Sequence, residues 1–179
     1  MKPILIALAA AAIVTTPAFA ALKAGDKAPD FTAPGFQAGK ALTFSLAEAR
    51  KKGPVVLYFF PAADTAGCNL EAKMFADAMP QFVANGATVI GVTAGKLDKL
   101  QQISADADKC SGKFPVAADL GAKIARQYDA VLAARPDWSD RTSYVISPKG
   151  EVLHTYSKLD PSEHVAQTLG AVKAFKTKR

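Results

Sequence analysis

The sequence predicts an α/β domain with a mixed central sheet flanked by helices. Two continuous apolar runs, 55–60 and 87–92, have the character of strands buried on both faces. Each is followed by a stretch with apolar residues at helical spacing. Nearer the C-terminus, two short runs flank Pro148-Lys149-Gly150 as in an antiparallel hairpin, and a final helix follows. With 10 Phe, 4 Tyr and 1 Trp in a 50% apolar chain of 179 residues, there is material for one core of ordinary domain size. Two cysteines exclude a disulfide-dense scaffold and a multi-cysteine zinc site.

Residues 1–20 read as a signal peptide. Met1-Lys2 gives a positive start, Ile4 to Val14 is an uncharged apolar run too short to span a bilayer, and Ala18-Phe19-Ala20 offers a small-x-small cleavage site. The domain is then 21–179, a periplasmic or secreted protein without a membrane segment after cleavage. It carries 21 basic residues against 16 acidic ones once Lys2 is removed. The basic pieces Arg50-Lys51-Lys52 and Lys173 to Arg179 are not interleaved with aromatics, so no nucleic-acid surface is expected.

A short strand is expected at 42–44. Ser45 with Glu48 three residues later forms a capping-box pattern for a helix from Leu46 to Lys51. Gly53-Pro54 ends it, and the first buried strand runs from Val55 to Phe60 until Pro61 stops it. From about Gly67 to Ala84, Phe75, Met79 and Phe82 recur at helical spacing, with Pro80 as an expected kink and Gly86 as the close. After the second buried strand, Leu97, Leu100, Ile103, Ala107 and Cys110 mark one face of a helix ended by Gly112. Phe114 to Ala117 is a short strand, Asp119 caps a helix through about Tyr128, and a loop surrounds Arg135 to Trp138. Thr142 to Ser147 and Glu151 to Tyr156 form the hairpin. Asp160-Pro161-Ser162-Glu163 opens the last helix with an N-cap, Pro at the first position and Glu at the third. This element order is that of the thioredoxin-like fold, which by itself assigns no function.

Cys68 is the sharpest candidate for chemistry, because it falls in the first turn of a helix that directly follows a buried strand. Unpaired N–H groups and the positive dipole end at such a position favour a thiolate. Thr65 is the expected N-cap, with its hydroxyl in reach of the Cys68 N–H or sulfur, and Gly67 leaves room for a close approach to the backbone. An acid at Asp64 works against the thiolate.

Here the chain resembles the peroxiredoxins, thiol peroxidases of the thioredoxin-like fold. Their Pro-x-x-x-Thr-x-x-Cys motif stands as Pro61-Ala62-Ala63-Asp64-Thr65-Ala66-Gly67-Cys68, followed by Glu71-Ala72. Asp140-Arg141-Thr142-Ser143-Tyr144-Val145-Ile146 matches the strand that supplies the family's arginine, and Gly25 to Phe31 matches a typical opening. Tyr58-Phe59-Phe60-Pro61 and the Thr-x-Gly-Cys turn are most similar to the bacterioferritin-comigratory, or Q-type, subgroup. Ala62-Ala63-Asp64, Ala66 and Asn69 depart from that subgroup's usual residues.

The resemblance implies a peroxidatic Cys68, an Arg141 that donates to the peroxide oxygens, a Glu71 that orients the guanidinium and a Pro61 that shields the thiolate. It implies no metal or organic cofactor, a peroxide substrate, a thioredoxin-like thiol donor in the same compartment, and a monomer or weak dimer. Cys110 is the candidate resolving thiol, with core packing or a permanent disulfide as its alternatives. A surface ion pair is the alternative for Arg141, and ordinary capping for Thr65 and Glu71. Trp138 and Tyr144 flank Arg141 and are candidates for the wall of the site. His154 and His164 have no ligand spacing and receive no catalytic role. An exported disulfide exchanger is the competing function, disfavoured because Thr65 stands where Cys-x-x-Cys needs a cysteine. A non-catalytic binding protein is the third.

Overall fold

The computed structural model describes residues 21–95 and 97–177, so the expected signal segment and its cleavage site lie outside the described residues. The elements are β1 (Thr32–Gln37), β2 (Lys40–Ser45), α1 (Leu46–Arg50), β3 (Val55–Phe59), α2 (Ala66–Ala84) and β4 (Thr88–Thr93). A 3-10 turn (Leu97–Lys99), α3 (Leu100–Ala105), β5 (Val116–Ala118) and α4 (Lys123–Gln127) follow. The chain continues through β6 (Val131–Leu132), β7 (Arg135–Ser139), β8 (Thr142–Ile146), β9 (Val152–Ser157) and α5 (His164–Thr177). The expected thioredoxin-like architecture is present: a mixed sheet of order β2-β1-β5-β4-β3-β8-β9, with β3, β4 and β5 parallel and the remaining pairs antiparallel. Among the described residues, no helix is long and apolar enough to cross a membrane.

The pleat of β3 divides the core. Val56, Tyr58 and Phe60 belong to one buried cluster with Phe75, Phe82, Leu169 and Val172 from α2 and α5. Val55, Leu57 and Phe59 belong to the other, with Leu46, Ala125 and Tyr128. Every residue of β3 is buried, as a central strand covered on both faces requires. Tyr58 stacks on Phe75 with ring centroids 4.4 Å apart, which fixes α2 against the strand that precedes it.

The register of β3 against β8 locates the site. Phe59 pairs with Thr142, so the loop leaving the end of β3 and the residues entering β8 meet at one end of these two central strands. Cys68 leaves from the first and Arg141 from the second.

Several elements differ from the sequence expectation. The strand expected at 42–44 is one arm of the β1–β2 hairpin, whose first arm contains Pro34 and Gly35, residues that ordinarily weaken a strand. Pro34 is tolerated because β5 pairs only with Gly35 and Phe36. The capping box is half-formed: Ser45 Oγ accepts from the Glu48 N–H at 3.4 Å, while the Glu48 carboxylate turns to Lys51. The residues expected as a loop at 135–138 are β7, paired with β6 outside the main sheet.

The helix expected from Leu97 to Cys110 stops at Ala105. Asp106 is extended, and its carboxylate accepts the Asp108 N–H at 2.9 Å, a local turn that competes with the helical ladder. Cys110 therefore sits in a run of turns. At α4, Asp119 does cap, accepting from the Ile124 and Ala125 N–H groups at 2.9 and 2.8 Å. The last helix begins at His164 instead of Pro161, because Asp160 closes a turn on the Ser162 N–H at 2.9 Å before helical geometry starts.

Candidate active site

Thr65 is the N-cap residue of α2, with extended backbone, and its carbonyl accepts the first helical hydrogen bond from Asn69 at 2.8 Å. The N–H groups of Ala66, Gly67 and Cys68 thus belong to the open first turn, where the helix end concentrates positive potential. The Thr65 hydroxyl does not cap them. It donates to the Ala62 carbonyl at 3.3 Å, so the expected contact with the Cys68 N–H or sulfur is replaced by a brace across the loop. Cys68 is buried, with 5% of its surface exposed.

Arg141 converges on the same point. Its Nη2 donates to Cys68 Sγ at 3.4 Å, its Nε to the Leu159 carbonyl at 2.7 Å, and its Nη1 to Glu71 Oε2. Three acceptors in three directions fix the guanidinium plane. The surface-ion-pair alternative is excluded, since both side chains of the pair are buried. Gly67 serves this approach: a Cβ there would lie 3.3 Å from Arg141 Nη2. The backbone access expected for a substrate is therefore already used by the arginine.

Glu71 is fully buried beneath the guanidinium. Burial pushes its carboxyl up to about 8, against the pull of the Arg141 charge. For Arg141, burial acts to lower the pKa, but Glu71 and Cys68 outweigh it and hold the guanidinium charged. Between the ordinary 4.5 and about 8, the folded chain keeps a proton on Glu71 that the unfolded chain has released. The stability of the fold, its unfolding free energy, is therefore expected to fall as pH rises through that window, and Glu71→Gln is expected to flatten the slope. Denaturant unfolding at pH 5 and pH 8.5 measures it; equal slopes in both proteins would show that Glu71 does not carry the effect.

His164, which the sequence offers no reason to select, lies against this pair. Its Nε2 faces the Lys158 carbonyl at 2.9 Å, which only accepts, so Nε2 bears the hydrogen and Nδ1 accepts from the Ser143 hydroxyl at 2.8 Å. Burial lowers its pKa and keeps the ring neutral. Nδ1 stands 3.6 Å from Glu71 Oε1, an oxygen without a hydrogen-bond partner. His154 lies on β9, paired with Val145 of β8.

Asp64 adopts a left-handed backbone, φ +59°. Its carboxylate is neutralised by Lys109, whose Nζ is 2.9 Å from Oδ1, so the expected opposition to a Cys68 thiolate is offset by a facing cation. Pro61 follows β3 with its carbonyl turned to Gly95, where a Cβ would come within 2.4 Å of that oxygen and 2.9 Å of the Trp138 ring. Trp138 thus packs beside Gly95, next to the Pro61 carbonyl. Tyr144 does not: it belongs to the cluster on the other face of the sheet, and its hydroxyl donates to the Tyr128 carbonyl.

Cys110 is a fully buried free thiol. Burial pushes it up to about 12. It lines the same core cluster as Cys68, but the two are not near each other and no disulfide joins them. Among the described residues, no group of three or more His, Cys, Asp or Glu side chains is placed to hold a metal ion.

The sequence pattern of the AhpC/TSA family matches residues 24–155, most of the chain. The chain belongs to the AhpC/TSA family. Within this family it is similar to the chloroplastic peroxiredoxin Q of Populus jackii, 31% identical over 88% of this chain and 71% of that one. Chloroplastic peroxiredoxin Q of Arabidopsis thaliana is 34% identical over 87% of this chain and 69% of its own length. Among solved structures, peroxidoxin BcpB from Mycobacterium tuberculosis superposes with a TM-score of 0.73 at 28% identity, covering 86% of this chain and 97% of that one. These matches agree with the Q-type, bacterioferritin-comigratory resemblance, and this AhpC/TSA chain is a thiol-dependent peroxidase, an oxidoreductase.

Proposed function

We propose that the chain reduces hydrogen peroxide and small organic hydroperoxides through Cys68, as an exported enzyme of the periplasm or extracellular space. The observation that carries this reading is the Arg141 guanidinium, fixed by Glu71 and Leu159 and directed at Cys68 Sγ from 3.4 Å.

Cys68 as thiolate attacks the terminal peroxide oxygen. The S–O bond forms as the O–O bond breaks, and the departing alkoxide or hydroxide takes a proton to leave as alcohol or water. Arg141 and the open N–H groups of the α2 first turn are donors for the oxygen on which charge builds. Pro61 keeps bulk water from the sulfur. The product is Cys68 sulfenic acid.

Cys110 then resolves it. Its sulfur displaces the hydroxyl from Cys68 Sγ, giving a disulfide and water, and a thioredoxin-like donor returns both thiols. The protein acts as a monomer or weak dimer.

The test is a single turnover of the reduced protein with hydrogen peroxide, followed by thiol counting. Wild type is expected to consume one equivalent and lose both thiols. Cys110→Ser is expected to stop at a sulfenic acid that a dimedone-type reagent labels. A wild type that reacts no faster than a free thiol would sink the peroxidase reading, and disulfide exchange would replace it. A wild type that consumes peroxide yet keeps the Cys110 thiol would remove only the resolving role.

A further inference from the structure

We propose that Lys109 is a positioning residue for the resolving step: its ammonium group, clamped between Asp64 and Asp106, ties the turn carrying Cys110 to the loop carrying Cys68, and so sets the rate of disulfide formation. This rests on the reading of Cys110 as the resolving thiol.

Lys109 Nζ lies 2.9 Å from Asp64 Oδ1 and 3.2 Å from Asp106 Oδ2. Asp106 is in the same turn as Lys109, so that contact is local. Asp64 is not, for it precedes α2 by two residues and lies four before Cys68. The Lys109 side chain is 15% exposed and that of Asp64 39%, so the contact is open to solvent on the Asp64 side and sensitive to salt. Asn69 Nδ2, from the first turns of α2, donates to the same Asp64 oxygen at 3.4 Å and completes the anchor on the Cys68 side.

Most other hydrogen bonds of the turn stay within its own neighbourhood. The Cys110 N–H donates to Ile103 at 3.3 Å, Ser111 to Asp106 at 2.9 Å and Gly112 to Ser104 at 2.9 Å. Ser111 adopts a left-handed φ of +52°, a conformation an L-residue holds at a cost. Gln37 Nε2 donates to the Gly112 carbonyl at 3.2 Å from β1. Lys113 reaches α2 at the Ala76 carbonyl, 3.1 Å away, well past the first turn. Among the described residues, Lys109 is therefore the side chain whose hydrogen bond joins the Cys110 turn to the Cys68 loop itself.

A disulfide requires Cα atoms about 5.5 Å apart. The two cysteines are not close, and Cys110 is fully enclosed, so the turn must leave its seat before the sulfurs meet. Outside that seat Cys110 can lose its proton. Its thiolate then attacks Cys68 Sγ, the S–S bond forms, the S–O bond breaks, and the departing hydroxide takes up a proton as water. Opening the seat separates Lys109 from Asp64, which places the ion pair on the path.

The experiment follows two rates in one reaction of the reduced protein with hydrogen peroxide: peroxide loss, and disulfide appearance by quenched alkylation and intact mass. Lys109→Gln is expected to slow peroxide loss, because Asp64 then stands unneutralised near Cys68, and, with the disulfide step timed from the sulfenic acid, to raise the disulfide rate about two- to fivefold, the size expected on losing a partly exposed ion pair. Lys109→Arg is expected to restore the wild-type rate. Raising the salt to about 1 M is expected to speed disulfide formation in wild type and not in Lys109→Gln. An unchanged or slower disulfide rate in Lys109→Gln, or failure of Lys109→Arg to restore it, overturns the proposal while leaving Cys110 as the resolving thiol. Peroxide loss without a disulfide in wild type overturns both.

Discussion

Cys68→Ser is expected to abolish peroxide reduction, lowering the second-order rate constant by at least about a thousandfold. A serine hydroxyl stays protonated where the thiol can ionise, so neither the helix terminus nor Arg141 has an anion to stabilise. The fold should survive. Serine fills nearly the same volume in the first turn of α2 and still offers an acceptor to Arg141 Nη2, which stands 3.4 Å from the present sulfur. A stability change of roughly 1 kcal/mol or less is expected. Stopped-flow peroxide loss and denaturant unfolding on the same preparation separate the two. Retained activity in this variant would move the chemistry away from Cys68.

Arg141→Gln is expected to lower the rate by about 10²–10³-fold, the scale of removing a preorganised donor from a developing oxyanion. The Cys68 thiol remains in place, so dimedone-type trapping after long exposure should still find a sulfenic acid. Arg141→Lys is not a conservative exchange here. One ammonium cannot reach the Leu159 carbonyl, Glu71 and Cys68 together as the planar fork does, and a loss of more than about tenfold is expected.

The same substitution bears on stability. Removing one partner of a buried ion pair costs on the order of 3–5 kcal/mol when the other stays charged. Glu71 can escape part of that by keeping its proton, so the loss should be larger at pH 8.5 than at pH 6. The double variant Arg141→Gln with Glu71→Gln is expected to recover stability and not activity. Recovery of activity as well would show that Arg141 acts only by keeping Glu71 neutralised.

Much of the site was legible as spacing. Thr65, Cys68 and Glu71 fall within two turns of one helix, and a strand-ending proline followed by a helix start places them without reference to the rest of the chain. Capping was partly legible, because Ser45 and Asp119 announce helix starts through short-range hydrogen bonds. The sequence expects the Thr65 hydroxyl at the Cys68 N–H or sulfur, whereas the loop, with Asp64 left-handed, turns it to the Ala62 carbonyl. The end of α3 is not legible in the sequence, because the apolar period continues to Cys110 while Asp106 breaks the ladder by binding the Asp108 N–H. The strands containing Pro34 and Pro136 are not legible in the sequence, because strand propensity undervalues proline, and pairing on one side is enough to hold it.

By itself the sequence determined the main helices, the two buried central strands, the 142–156 hairpin and the position of Cys68 at a helix start, since these depend on periodicity and on contacts a few residues long. Tertiary structure alone decided how the distant groups converge. Phe59 facing Thr142 brings Arg141 to Cys68, the start of α5 brings His164 to Glu71, and the turn after α3 brings Lys109 to Asp64. The physical reason is register. A shift of one residue between β3 and β8 would turn Arg141 to the other face of the sheet, and local pattern carries no record of which residue of one strand faces which residue of another.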